Sequence, residues 1–297
     1  MLVAYLMRLG LNTFLVSPGF TDADLPLIQN FKSYGAEVVE LAIVDPAAVT
    51  MSRLVQTLDS AGFRQTVVCG TFGLGRDLRG NSEEQANSTR YIIELIEIAK
   101  RLGSKVVCGP MYSSVGRTNR HSPQERESQL QLIAENLKPL CKRAEDAGVV
   151  LAIEPLNRFE TDCINTVDQA LDLIDRVGSP ALKIHIDTFH MNIEEDDSSN
   201  AILKAGQHIG HVHASASHRG LLGQDQVDWE GVLGALLKIG YDEDIVIESF
   251  CEDNAVIAKA AAIWRKLYDS PQQLSIEGLA FLENNLKRLK QRDCKPV

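Results

Sequence analysis

Short apolar runs recur along the chain at nearly regular intervals, each bounded by Gly, Pro, Asn or Asp. Runs of this length that are rich in Val and Ile read as strands. They fall at 7–16, 37–43, 65–70, 104–109, 149–154, 182–187, 208–214 and 244–249. Between them the apolar period lengthens to that of a helix, as in TRYIIELIEIAKRLG (89–103) and SQLQLIAENLKPLCKRAEDAG (128–148). Both stretches end at a glycine after basic residues, the chemistry of a helix C-terminus. Alternating strands and helices predict a mostly parallel sheet. Eight such units within 297 residues fit a (β/α)8 barrel, a TIM barrel, whose usual size is about 250 residues. The expected organisation is one α/β domain over 1–297, with the barrel over 7–268. An amphipathic helix over 270–292 follows closure.

A doubly wound open sheet is the alternative fold. It is disfavoured because SPGFTD, not GxGxxG, follows the first strand. GTFGLGRDLRG (70–80) lacks the Gly-Lys-Ser/Thr of a phosphate loop and reads as a flexible loop after the third strand. The opening MLVAYLMRLGLNTFLV is broken by Arg8 and Asn12, without a basic leader or small-residue cleavage site, so it reads as a first strand. Met1 and Met7 are both candidate starts.

In a barrel of this kind, chemistry sits at the C-terminal ends of the strands. VVLAIE ends in Glu154, LKIHID in Asp187, HIGHVH in His213, and DIVIES carries Glu248. The separations are 33, 26 and 35 residues (187−154, 213−187, 248−213), about one strand–helix unit each. Four consecutive strands therefore present one metal-capable side chain each at the same height. Three carboxylates and an imidazole suit a hard or borderline divalent cation such as Mn²⁺, Mg²⁺ or Co²⁺. Zinc more often takes additional His or Cys. Side-chain alternation puts Ala152, His185, His211 and Val246 on the same inward face one layer lower. There His185 and His211 are expected to be hydrogen-bonded supports, not ligands.

The charge balance, 30 basic against 40 acidic residues, gives −10 and argues against a nucleic-acid partner. Six cysteines (69, 108, 141, 163, 251, 294) form no CxxC pair, as expected of reduced thiols in a cytoplasmic protein. The chain has no run of about 18 uninterrupted apolar residues, so no membrane partner is expected.

IEPLNRFETDCINT (153–166), IDTFHMNIEED (186–196), GHVHASASHRG (210–220) and VIESF (246–250) resemble the ketose 3-epimerases. These are the D-tagatose/D-psicose (allulose) 3-epimerase family of the xylose-isomerase-like barrels. The similarity spans nearly the whole chain from Met7 and is densest over 149–250. It implies that Glu154, Asp187, His213 and Glu248 hold one ion, Mn²⁺ first, with Co²⁺ or Mg²⁺ as alternatives. Glu154 and Glu248 would then act as acid and base across the sugar, and Glu160, His190 and Arg219 would grip its C1–C3 end. His190 is placed in the loop beyond Asp187. Asn12, Phe14, Gly70, Met111 and Tyr112, in the less similar first half, are expected pocket walls.

The resemblance thus implies inversion at C3 of a free ketose (psicose/fructose, tagatose/sorbose or ribulose type) through an enediolate, by a homodimer or homotetramer. An aldose–ketose or hydroxypyruvate-type isomerase on the same metal site is the nearest rival. A metal-dependent endonuclease of similar fold would need more His for a three-metal cluster. A non-catalytic sugar-binding barrel would not need an acid on each face.

Overall fold

Eight parallel strands pair in sequence order, and the first hydrogen-bonds to the last, closing the sheet into a barrel. The computed structural model describes residues 7–63, 65–250, 258–259 and 261–293. The alternative start at Met1, and Cys251 and Cys294, lie outside them. The strands are β1 (Arg8–Asn12), β2 (Val38–Ala42), β3 (Gln65–Cys69), β4 (Val106–Gly109), β5 (Val150–Ile153), β6 (Leu182–Asp187), β7 (Ile209–Ala214) and β8 (Asp244–Ile247). Helices α1 (Leu25–Ser33), α2 (Met51–Ala61), α3 (Ser82–Leu102), α4 (Pro123–Ala147) and α5 (Val167–Val177) lie between them in the first part of the chain. The second part adds α6 (Thr188–Glu194), α7 (Ser198–Ala205), α8 (Trp229–Lys238) and α9 (Pro271–Asp293). The pairing of Leu9 with Ile245 across β1 and β8 excludes the open sheet.

Both strand faces are buried, which is why the strands read as near-continuous apolar runs. Val39, Leu41, Val68, Ile184, Val212 and Ile245 face outward into the core shared with the helices. Val38, Val67, Val106, Ala152 and Val246 fill the barrel interior. Helix ends follow local chemistry. Asn81 with Glu84, Ser122 with Glu125, and Thr166 with Gln169 form reciprocal capping boxes at the starts of α3, α4 and α5. Buried Leu274, Leu279, Leu282 and Leu286 dock α9 against α8 and the β1–β8 seam.

Two local expectations differ from the structure. The first strand stops at Asn12 instead of residue 16, because its Oδ1 accepts from Phe14 N at 2.7 Å and starts a 3-10 turn over Thr13–Leu15. The 70–80 segment is a loop, as expected, but an anchored one: Gly73, Leu74 and Gly75 are exposed, while Phe72 and Leu78 are fully buried and the Arg79 guanidinium is paired to Asp162 and bonded to Ser113. Among the described residues no helix is long and apolar enough to cross a membrane, and Cys69, Cys108, Cys141 and Cys163 are free thiols.

Candidate active site

The strand ends converge as their spacing suggests. Glu154 follows β5, with its N–H on Gly109 O at 3.2 Å, and Glu248 follows β8, with its N–H on Ala214 O at 3.3 Å. Asp187 closes β6 in register with His213 on β7. Each of the four offers a buried ligand atom, and these atoms all lie within 4.8 Å of one another. Asp187 is also the N-cap of α6, its Oδ1 accepting from Phe189 N at 2.6 Å. His190 therefore stands on a short helix, not in a loop, because Asp187 starts that helix directly from the strand.

The donor set fits a cation. His213 Nε2 lies 2.7 Å from Glu40 Oε1, and a carboxylate can only accept, so that nitrogen carries a proton. The other nitrogen, Nδ1, faces Glu248 Oε2 at 3.5 Å and Asp187 Oδ2 at 3.8 Å. His213 Nδ1 and Glu154 Oε1 are both buried without a hydrogen-bond partner in the protein, as two atoms aimed at a shared cation would be. Burial disfavours charge on His213, yet Glu40 and Glu248 hold its pKa well above the usual value. The cluster thus draws positive charge to Nδ1.

Its carboxylates are tuned apart. Burial, then the neighbouring Glu248 carboxylate, pushes Glu154 well above the ordinary range. Burial would raise Asp187 too, but the Arg219 guanidinium holds it well below. Arg219 Nη1 donates to Asp187 Oδ2 at 2.8 Å, to Glu248 Oε2 at 3.0 Å and to Ser215 Oγ at 2.8 Å. The guanidinium lies between the Phe189 and Phe250 rings, 4.1 and 4.9 Å from their centroids.

These groups open onto a cavity of about 350 Å³. Glu154, Glu248, Glu160, His190 and Arg219 line one side, and Phe14, Gly70 and Phe250 are among its apolar walls. Asn12 does not reach the cavity. Its Nδ2 donates to Glu40 Oε1 at 2.6 Å, one level below. Met111 lies behind Gly70, and the Tyr112 hydroxyl is 3.0 Å from the Glu154 and Ile164 carbonyls, supporting the wall from outside. In the lower layer His211 Nε2 shares Glu40, on Oε2 at 2.5 Å. His185 packs edge-on to His213 with 4.0 Å between centroids, its Nδ1 3.7 Å from Glu154 Oε2.

Sequence reasoning missed Glu40 and Asn157. The signal for Glu40 was a lone carboxylate inside the apolar run VVELAI. A strand buried on both faces can hold such a charge only against a partner. Asn157 bonds His190 and Glu160 together, and nothing in its spacing announces that.

The chain matches the model of the xylose isomerase-like TIM barrel family over residues 28–284. It is 30% identical over 288 residues to an L-ribulose 3-epimerase of Mesorhizobium japonicum, 96% of either chain. It is 29% identical over 268 residues to a ketose 3-epimerase of Arthrobacter globiformis, 89% of this chain and 91% of the relative. A solved L-ribulose 3-epimerase structure superposes with a TM-score of 0.91 at 30% identity, covering 98% of this chain and 100% of its own. A Methylomonas sp. D-allulose 3-epimerase in complex with D-allulose gives 0.87 at 25% identity, over 94% and 97% of the two chains. Closed barrel, buried cluster and relatives agree: the chain belongs to the xylose isomerase-like TIM barrel family, among its ketose 3-epimerases, and is an enzyme of the isomerase class.

Proposed function

We propose that the protein inverts C3 of an unphosphorylated ketose of the psicose/fructose, tagatose/sorbose or ribulose type, using one divalent cation. The observation that carries this reading is the pair Glu154 and Glu248. They line one cavity from strands β5 and β8, with Asp187 and His213 between them in barrel order. Glu154, Asp187, His213 and Glu248 would hold the ion; three carboxylates with one imidazole suit Mn²⁺, Co²⁺ or Mg²⁺, and the resemblance to the ketose 3-epimerases puts Mn²⁺ first. Among the described residues lining the cavity, Arg219 is the one cationic side chain, and it already serves Asp187 and Glu248. A phosphate would need cations of its own, which favours a free sugar.

A C–H beside a carbonyl is a weak acid, and its removal leaves charge on the adjacent oxygen. The cation, when bound, supplies Lewis-acid stabilisation of that charge. One glutamate takes the C3 proton while the other delivers a proton to the opposite face, and the reverse reaction exchanges their roles. General acid–base groups of this kind contribute about 10² to 10⁴-fold each. Burial and the neighbouring Glu248 raise Glu154, so without an ion it holds its proton more tightly than an exposed carboxylate does. Arg219 and His190 bring N–H donors to the developing oxyanion, and Glu160 accepts from a sugar hydroxyl.

Turnover of a ketose panel in D₂O with added Mn²⁺ tests the reaction. Product should carry deuterium at C3 and none at C1. Glu154→Gln and Glu248→Gln should each abolish net epimerisation, with metal content measured alongside because both are proposed ligands. Label at C1 with an aldose accumulating would move the protein to the aldose–ketose isomerases. Label at neither carbon, with metal bound, would favour a sugar-binding role. The same reading expects a cytoplasmic homodimer or homotetramer, which sedimentation of the purified protein checks.

A further inference from the structure

His190 is gripped from behind by Asn157, a buried residue that does not line the cavity. The Asn157 backbone N–H lies 3.1 Å from His190 Nδ1, and its side-chain Nδ2 lies 2.9 Å from the same atom. The amide orientation is set by its other bonds: Oδ1 accepts from Phe159 N at 3.0 Å, and Nδ2 donates to Glu160 Oε1 at 2.8 Å. Both groups facing Nδ1 are donors only. Nδ1 must therefore present its lone pair, and the ring proton sits on Nε2.

On the cavity side, His190 Nε2 lies 3.3 Å from Arg219 Nη2 and 3.7 Å from Glu154 Oε1. Two N–H donors cannot satisfy one another. One ligand oxygen accepting from both can.

We propose that Asn157 is a positioning residue that fixes His190 as the neutral Nε2–H tautomer, so that His190 and Arg219 aim two donors at a single substrate oxygen. The same Asn157 amide holds Glu160 beside them as an acceptor, so one buried side chain orders a donor and an acceptor together. A base at this position would need a free Nε2 lone pair, which Asn157 denies. Proton transfer is thereby left to Glu154 and Glu248. The catalytic consequence rests on the epimerase reading above; the tautomer itself does not.

The test uses the full chain labelled with ¹⁵N-histidine and loaded with Mg²⁺, with His190→Gln identifying the His190 signals. Across about pH 6 to 8, Nδ1 should be pyridine-like and Nε2 pyrrole-like. An Nδ1–H tautomer or an imidazolium in the parent protein overturns the proposal, and that measurement needs no variant to fold. Asn157→Asp keeps the acceptor for Phe159 N but sets a carboxylate oxygen against Nδ1, and should draw a proton onto it. Its kcat for D-allulose or L-ribulose should fall about 100-fold, with metal content near the parent value and KM raised because Glu160 loses its Nδ2 donor. An unchanged tautomer in Asn157→Asp, or a changed tautomer with kcat unaffected, overturns the positioning role. Failure of the parent to epimerise any ketose would sink the proposed function while the tautomer result stood.

Discussion

His213 turns one nitrogen toward the carboxylate cluster because Glu40 holds the other. Glu40 is fully buried, and burial would raise its carboxyl, but His213 and His211 keep it well below the usual range. A histidine ligand whose second nitrogen loses its carboxylate typically costs about 10- to 100-fold in metal affinity. Glu40→Gln should weaken Mn²⁺ binding by that amount without removing a ligand, as read by calorimetric titration. His211→Asn should still hold one ion per chain. Parent-like affinity in Glu40→Gln would refute the supporting role, and loss of the ion in His211→Asn would make His211 a ligand. The four proposed ligands were legible because barrel geometry turns strand spacing into position. Glu40 was not, since its bond to His211 joins residues 171 apart in sequence. The same holds for Asn12, expected in the pocket wall: the partner that turns it away from the cavity, Glu40, lies on another strand.

At the scale of elements, alternation of period gave every strand and the order of the barrel, while boundaries depended on bonds that periodicity does not carry. Asn12 ends β1 with its own side chain, and Asp187 starts α6 with its own, so a seven-residue helix replaces an expected loop. The join between β3 and β4 shows a constraint of another kind. Gly109 has φ +122°, and a Cβ there would lie 2.0 Å from the Gly70 carbonyl oxygen, which belongs to a cavity-lining residue. Backbone cannot move aside as a side chain can. Gly109→Ala should cost about 3 kcal/mol or more in denaturant unfolding, and should raise KM by displacing the Gly70 wall. Gly148, the left-handed C-cap of α4, has no atom within 4 Å of such a Cβ. Gly148→Ala should cost only the left-handed backbone strain, about 1–2 kcal/mol. Equal losses in the two variants would remove the steric argument.

For the whole molecule, the cluster ties stability to both pH and metal. Glu154 is raised in the folded chain, first by burial and then by Glu248. A carboxyl with a raised folded-state pKa binds its proton more tightly folded than unfolded, so its contribution is present below the unfolded pKa. That contribution is lost as pH rises through the folded value. Glu154 therefore takes stability from the stripped protein over this range, beginning where an exposed glutamate starts to ionise, while buried His190, held at about 3, adds stability up to the unfolded histidine value. A cation needs the same carboxylate deprotonated, so its affinity rises across the same range. Binding only the folded state, it adds about 2.7 kcal/mol at a hundred times its Kd. The gap in Tm between Mn²⁺-loaded and chelator-stripped protein should accordingly widen as pH increases and narrow toward acid. Both forms should melt in one transition, since α9 packs on α8 and across the β1–β8 seam and the helix-side core runs continuously from β1 to α9. Differential scanning calorimetry at several pH values reads both quantities. A gap independent of pH would mean that Glu154 is not the group exchanging a proton for the ion, and a separate transition for α9 would divide the chain that the sequence reads as one domain.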